Sequence, residues 1–168
     1  MHYLIKKFWL VNLVLFQLCW LLAAFYQQQA TWVMLLVVAI HFVLSPIKKL
    51  DLKVLPLAFV GIVLDQVFTF FDVLIFANSP AVLPVWLMLL WVSFSWCLNH
   101  SLNWLIHIPI AYVMLLGAIF GPISYFGGLS LGTFETGTSQ ALFVTIYSLA
   151  WAVFLPLSRL YCQRVVKL

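Results

Sequence analysis

Residues Pro84 to Trp104 read PVWLMLLWVSFSWCLNHSLNW. A proline opens an apolar run of helical length, as prolines do in a first turn. The run ends in a polar knot, Asn99-His100-Ser101-Leu102-Asn103, and the next apolar run leaves directly from it. Two membrane helices joined by so few residues are expected to pack side by side as a tight hairpin. The knot then lies at one membrane face.

Composition supports this reading over the whole chain. Of 168 residues, 66% are hydrophobic and 7% charged, and the mean hydropathy is +1.16. Soluble domains carry about 25% charged residues, so a soluble core is excluded. At about 20 residues per crossing the chain has room for about six helices and no soluble domain. The expected fold is therefore all-α, a polytopic transmembrane bundle forming one membrane domain over 1–168. The net charge of +4 does not call for nucleic acid, because every Lys and Arg falls in a short flank between apolar runs. Cys19, Cys97 and Cys162 are isolated and suggest neither a disulfide framework nor a metal site. The basic start MHYLIKKFWL runs into an apolar stretch without a small-x-small cleavage site, so it is expected to be a retained first span.

The expected spans are about 8–26, 31–44, 54–77, 82–98, 102–120 and 139–157. Ser45-Pro46 ends the second, and Asn78-Ser79-Pro80 is turn chemistry. Asn99 and Ser101 are cap residue types, and Pro109 is expected to kink span five. A helix from Leu102 to Leu131 would be about 45 Å long, against a membrane core of about 30 Å. Gly121-Pro122 and Gly127-Gly128 are therefore expected to break the segment 117–132. With six spans, Lys6/Lys7, Lys48/Lys49/Lys53 and Arg159/Arg164/Lys167 share one side, and the opposite loops hold no Lys or Arg. The positive-inside rule then puts both termini in the cytoplasm.

Polar groups at membrane depth are the functional candidates. Asp65 lies about 18 Å beyond Lys53, near the bilayer centre. An ionisable group there costs at least about 2.5–3.5 kcal/mol, which makes it a candidate by default. Gln17 and His41 count to a similar depth, so a packing bond from Asp65 to either is the structural alternative. Asp65, Thr69 and Asp72 share a helix face at i, i+4, i+7. In the knot, His100 is harder to explain as a cap; with Asn103 and His107 it lines one face if span five starts early, and a histidine can relay protons near neutral pH. A metal set of His100, His107 and a carboxylate has no diagnostic spacing, and no metal or cofactor is expected. Trp9, Trp32, Trp86, Trp104 and Trp151 sit near span ends, as interfacial belts do. The deeper Trp91 and Trp96 read as lipid-facing or packing residues.

Certain residues carry a resemblance. Pro84-x-Trp86-Leu87, Leu90-Trp91-x-x-Phe94, Leu98-Asn99-His100-Ser101-Leu102-x-Trp104 and Gly121-Pro122-x-x-Tyr125 with Gly127 resemble a family of small bacterial inner-membrane proteins known as a domain of unknown function. The resemblance implies an integral, multi-pass inner-membrane protein and names no reaction. Three functions are carried forward. The first acts in, or assists, modification of a lipid or apolar metabolite. Asp65 and His100 are its acid/base candidates, and Asn99, Asn103, Tyr125, Gln17 and His41 are substrate-binding candidates. The second is a non-catalytic scaffold or assembly subunit, and the third a small proton-coupled transporter component. Expected partners are the lipid bilayer and either another membrane protein or further copies of the chain.

Overall fold

A computed structural model describes residues 2–77 and 82–166, with side chains described over 7–77 and 82–165. Six helices follow one another: α1 His2–Tyr26, α2 Thr31–Leu44, α3 Lys48–Phe70, α4 Val85–Cys97, α5 Ile110–Ser130 and α6 Gln140–Val166. Short 3-10 turns occupy Gln27–Ala30 and Asn103–His107. Among the described residues there is no strand, only an isolated bridge between Ile75 and Glu135 in the two loops at one end.

Each reversal of the chain has a local cause. Gln27 takes a left-handed φ of +46°, which ends α1 and turns α2 back. The hydrogen bond between Asn12 and His41, 29 residues apart, exists only because of that reversal. Asp72, at φ +56°, ends the α3 segment, and the apolar residues after it (Val73, Leu74, Phe76) tuck into the bundle. Pro84 and Pro109 stand immediately before α4 and α5, where a missing N–H costs nothing. Cross-bundle bonds show that the helices alternate in direction. At one end Tyr161 Oη–H donates to the Lys53 carbonyl at 2.8 Å and Arg159 to the Ile106 carbonyl at 3.2 Å. At the other end Thr133 donates to the Ala24 carbonyl at 2.9 Å. Lys7, Lys48, Lys49, Lys53, Arg159 and Arg164 therefore collect at one end, the basic end.

The bundle is apolar outside and partly polar inside. Trp32 is 80% exposed, Phe70 77% and Val43 67%, whereas Asn12, Asp51 and Asp65 are at most 1% exposed. A soluble protein rarely exposes so continuous an apolar surface. Among the described residues four stretches are long and apolar enough to cross a membrane: Lys7–Leu44 (bent back at Gln27), Lys48–Phe70, Ile110–Ser130 and Gln140–Val165. Val85–Cys97 is apolar but shorter. The molecule is a helical membrane protein.

Several expectations are corrected. The charged segment 48–53 is the first turn and a half of α3, so that helix starts six residues before the expected 54 and ends at Phe70 rather than 77. Asp72 thus leaves the Asp65–Thr69 face and is exposed in the turn. No tight hairpin joins α4 and α5: residues 98–109 form a longer connection of turns and a 3-10 turn, and α5 packs on α6. Pro109 starts α5 instead of kinking it. Because α5 begins at Ile110, its 21 residues span only about 31 Å, and the helix continues unbroken through Gly121-Pro122 and Gly127-Gly128. Asn99 and Ser101 cap nothing; their side chains reach across to Asp51 and Asn12. Trp86 and Trp151 are buried, not interfacial, whereas Trp9, Trp32 and Trp104 are exposed. The expected turn at Asn78, Ser79 and Pro80 and the flanks Lys6 and Lys167 lie outside the described side chains.

The glycines of α5 serve packing. A Cβ on Gly117 would overlap the Trp151 carbonyl oxygen, and one on Gly121 would overlap the Trp151 ring. This is the small-xxx-small approach common between membrane helices. Gly117→Leu is therefore expected to lower stability by about 1–3 kcal/mol or more, read as an earlier unfolding midpoint in detergent. Gly127→Ala, whose Cβ would sit 3.5 Å from the Trp20 ring, should leave the midpoint unchanged.

Candidate functional site

Two buried carboxyl-centred nodes and one cavity make up the candidate site. The first node forms at the basic end around Asp51, in the first turns of α3, where the helix dipole favours an anion. Asp51 is fully buried. Its carboxylate accepts from the Ser45 hydroxyl, from Asn99 Nδ2–H at 3.1 Å and from His100 Nε2–H at 3.0 Å. Trp96 Nε1–H donates to the Asp51 backbone carbonyl at 3.1 Å. Four chain segments, the α2–α3 turn, α3, α4 and the 98–109 connection, therefore converge on one residue.

Beside this node, a chain of bonds sets the state of His41. The backbone N–H of Ser101 can only donate, and it donates to Asn12 Oδ1 at 3.2 Å; the Ser101 hydroxyl donates to the same oxygen at 2.6 Å. Asn12 must therefore present its NH2 to His41 Nε2, 3.1 Å away. That nitrogen accepts, so His41 is neutral and carries its proton on Nδ1. Its ring stacks on Trp96 at 4.6 Å and meets His100 edge-on at 5.4 Å.

The second node is Asp65, at mid-height and fully buried. Trp91 Nε1–H of α4 donates to it at 2.6 Å, Tyr125 Oη–H of α5 at 2.5 Å and Tyr147 Oη–H of α6 at 3.3 Å. The two tyrosine rings stack at 4.0 Å, and Trp91 stacks on Trp151 at 5.6 Å. Gly61 makes room for this, since a Cβ there would overlap the Trp91 ring. Thr69 serves the helix itself, donating to the Asp65 carbonyl at 2.8 Å.

Between α1, α4 and α5, where the expected hairpin would have packed, lies a cavity of about 810 Å3, within the ~300–1,000 Å3 range of small-molecule sites. Its walls are mainly apolar and aromatic, including Phe16, Leu90, Trp91, Phe94, Phe120 and Trp151. One strut crosses from α1 to α5: Trp20 Nε1–H donates to the Ser124 hydroxyl at 2.9 Å. Tyr125 forms part of the wall, with Asp65 behind it.

The residues singled out in the sequence separate into these parts. Asp65 and Tyr125 come together, as do His100 and Asn99, both on Asp51. Asp65 and His100 do not share a site: 14 residues of α3, about 21 Å, separate their carboxyl nodes. His41 lies beside His100 rather than at Asp65's depth, because α2 ends only three residues later. Gln17 is exposed and lines the cavity; neither it nor His41 bonds Asp65. Asn103 lies in the 3-10 turn and His107 is exposed, so neither joins His100. Among the described residues no group of three or more His, Cys, Asp or Glu is placed to hold a metal. Sequence reasoning missed Asp51, Asn12, Ser45, Trp91 and Tyr147 as node members. A usable signal existed for Trp91 and Trp96, since a buried indole N–H needs an acceptor.

This architecture is that of a helical membrane protein with an internal polar framework and a lateral apolar cavity. By sequence the chain belongs to the family described as protein of unknown function (DUF2878), whose model matches residues 9–157. Comparison with curated proteins and with solved structures returns no match.

Removing Asp65 separates its bonding from its shape. Asp65→Leu strands three buried donors at about 1–3 kcal/mol each, so unfolding in detergent should begin more than about 3 kcal/mol earlier. Asp65→Asn keeps one oxygen for Trp91 and Tyr125 and offers N–H to the Tyr147 oxygen. Its loss should be less than half that of the leucine variant.

Proposed function

We propose that the protein holds the apolar part of a lipid or other membrane-borne metabolite in the α1/α4/α5 cavity, and acts in or assists that molecule's modification. The observation that carries this reading is the cavity itself: its wall is mainly apolar, and one wall residue carries a hydroxyl bonded to the buried Asp65 carboxyl behind it. Tyr125 is that residue. When its oxygen takes a proton from a bound molecule, its own proton passes to Asp65, which is the acid/base pairing such chemistry uses. His100, paired with Asp51, is the second acid/base candidate at the basic end.

The setting proposed with this is a bacterial inner membrane, crossed six times, with both termini cytoplasmic. The described Lys and Arg side chains lie in flanks at the α1, α3 and α6 basic ends, which is the positive-inside pattern. With 14 and 13 residues, α2 and α4 are about 21 and 20 Å long. α4 is largely buried against α1, α2 and α3, so it needs no full-length lipid face. A scaffold role is the second reading, favoured by the saturation of both carboxyl nodes, which is what helix-order devices need.

Lipid profiles of host strains separate the two. Deletion should shift one lipid or apolar metabolite class, and the wild-type gene should restore it. Leu90→Trp, which fills the cavity, and Tyr125→Phe, which removes the hydroxyl, should accumulate as protein without restoring the class. Unchanged profiles on deletion would overturn the lipid-linked reading and leave the scaffold.

A further inference from the structure

The basic end of the cavity has a construction of its own. Along α6, Trp151 and Leu155 line the cavity, and Ser158 and Arg159 continue the same stripe at i+7 and i+8 from Trp151. Leu102, Trp104 and Leu105 line the cavity from the opposite side, and the next residue, Ile106, gives its carbonyl to Arg159 Nη2–H at 3.2 Å. Gln163 Nε2–H shares that carbonyl at 3.2 Å. Arg159 is thus fixed one turn beyond Leu155, about 6 Å along the axis, at the cavity's margin.

Arginines near the ends of membrane helices usually extend toward water. Arg159 is instead half-buried, its Nη2 tied to the Ile106 carbonyl, and its Nε is buried without a partner. Among the described residues the one ion pair is His100–Asp51, so no described carboxylate compensates Arg159. Five buried side-chain polar atoms lack partners among the described residues, and three of them (Trp151 Nε1, Ser158 Oγ, Arg159 Nε) lie on this stretch of α6. A positive-inside signal needs only a charge at this end of the bundle. It does not need a guanidinium tied to a backbone carbonyl one turn beyond the cavity wall, with its Nε–H left unpaired.

We propose that Arg159 receives the phosphate of an anionic phospholipid whose acyl chain occupies the cavity. The inference rests on the cavity reading above and names its occupant: an amphiphile with a net-negative phosphate head at the basic end and an apolar tail extending toward Phe134. Guanidinium geometry suits phosphate because its N–H groups meet two oxygens at once.

Lipid retention tests this. Purified protein is stripped, exchanged into phosphatidylcholine vesicles containing either dioleoyl phosphatidic acid or dioleoylglycerol, and retained lipid is counted by native mass spectrometry. The two probes share their tails. Wild type should retain phosphatidic acid about tenfold better, the scale of one charge-assisted contact. Arg159→Gln should remove that preference and keep the residual tail binding, while Leu90→Trp should remove both. Equal retention of the two probes by wild type would overturn the phosphate assignment whatever the variants do. Loss with Leu90→Trp but none with Arg159→Gln would sink the assignment and keep the cavity reading. Retention unaffected by Leu90→Trp would remove the cavity reading and this inference with it.

Discussion

Three donors from three helices meet on one carboxyl group, Asp65, at the centre of an apolar bundle. In lipid, burying one more leucine between helices gains little, because the tails outside are as apolar as the side chain. A buried carboxyl group is different. It is strongly destabilising until paired, so the arrangement that brings Trp91, Tyr125 and Tyr147 to it is selected over every other helix order. The close packing around it follows. Gly61 lets the Trp91 ring lie on α3, Gly121 lets Trp151 lie on α5, and the two indoles stack between them. Small residues and large rings are therefore placed by the same requirement.

Asp51 repeats the device about 21 Å away along α3, joining the α2–α3 turn, α4 and the 98–109 connection. The two nodes together explain the cavity. Asp65 holds the α5–α6 pair against α3, and Asp51 and Asn12 hold α1 and α2 against α4. Neither node ties α1 to α5. That seam is spanned by the Trp20–Ser124 bond and closed toward the loop end by Thr133 on the Ala24 carbonyl. The opening is thus a consequence of where the polar contacts are, on the side they leave unpinned.

Much of this was legible in the sequence. Apolar composition and the basic flanks indicate an all-helical membrane bundle with its charges at one end, and the cost of a mid-span acid singles out Asp65. Tyr125 was legible only as a candidate beside a glycine-proline pair. What stayed hidden has physical reasons. Asp51 reads as one more charge in a flank, because nothing local shows that the flank is helical and turned inward. His41 was placed too deep because counting from a span's start ignores how short α2 is. The expected hairpin and the expected break in α5 share one error: both assumed that a helix begins at Leu102. The polar knot is instead spent on long-range bonds to α1 and α3, and Pro109 sets the start. Long-range pairing of Asn99 with Asp51, 48 residues apart, leaves no periodic trace.

The distribution of satisfied and unsatisfied groups separates structural from ligand-facing polarity. Both carboxyl groups are paired by donors from distant parts of the chain, Asp65 by three other helices and Asp51 by the α2–α3 turn and the 98–109 connection, which is how a group that orders a bundle should look. Of the five buried polar atoms without a partner among the described residues, Asn99 Oδ1 and His41 Nδ1 lie at or beside the Asp51 node, and the other three lie on α6 between Trp151, which lines the cavity, and Arg159. A buried donor without an acceptor is destabilising, and native structures hold few of them. Three of the five lie on one helical stripe that runs from the cavity wall to the half-buried Arg159, where an anionic head would meet a guanidinium with no carboxylate partner among the described residues. Tyr125 links the two populations, because its hydroxyl belongs to the saturated Asp65 node and its ring to the cavity wall. A molecule entering the cavity therefore meets the ordered framework at Tyr125, and its head would meet α6 at Arg159.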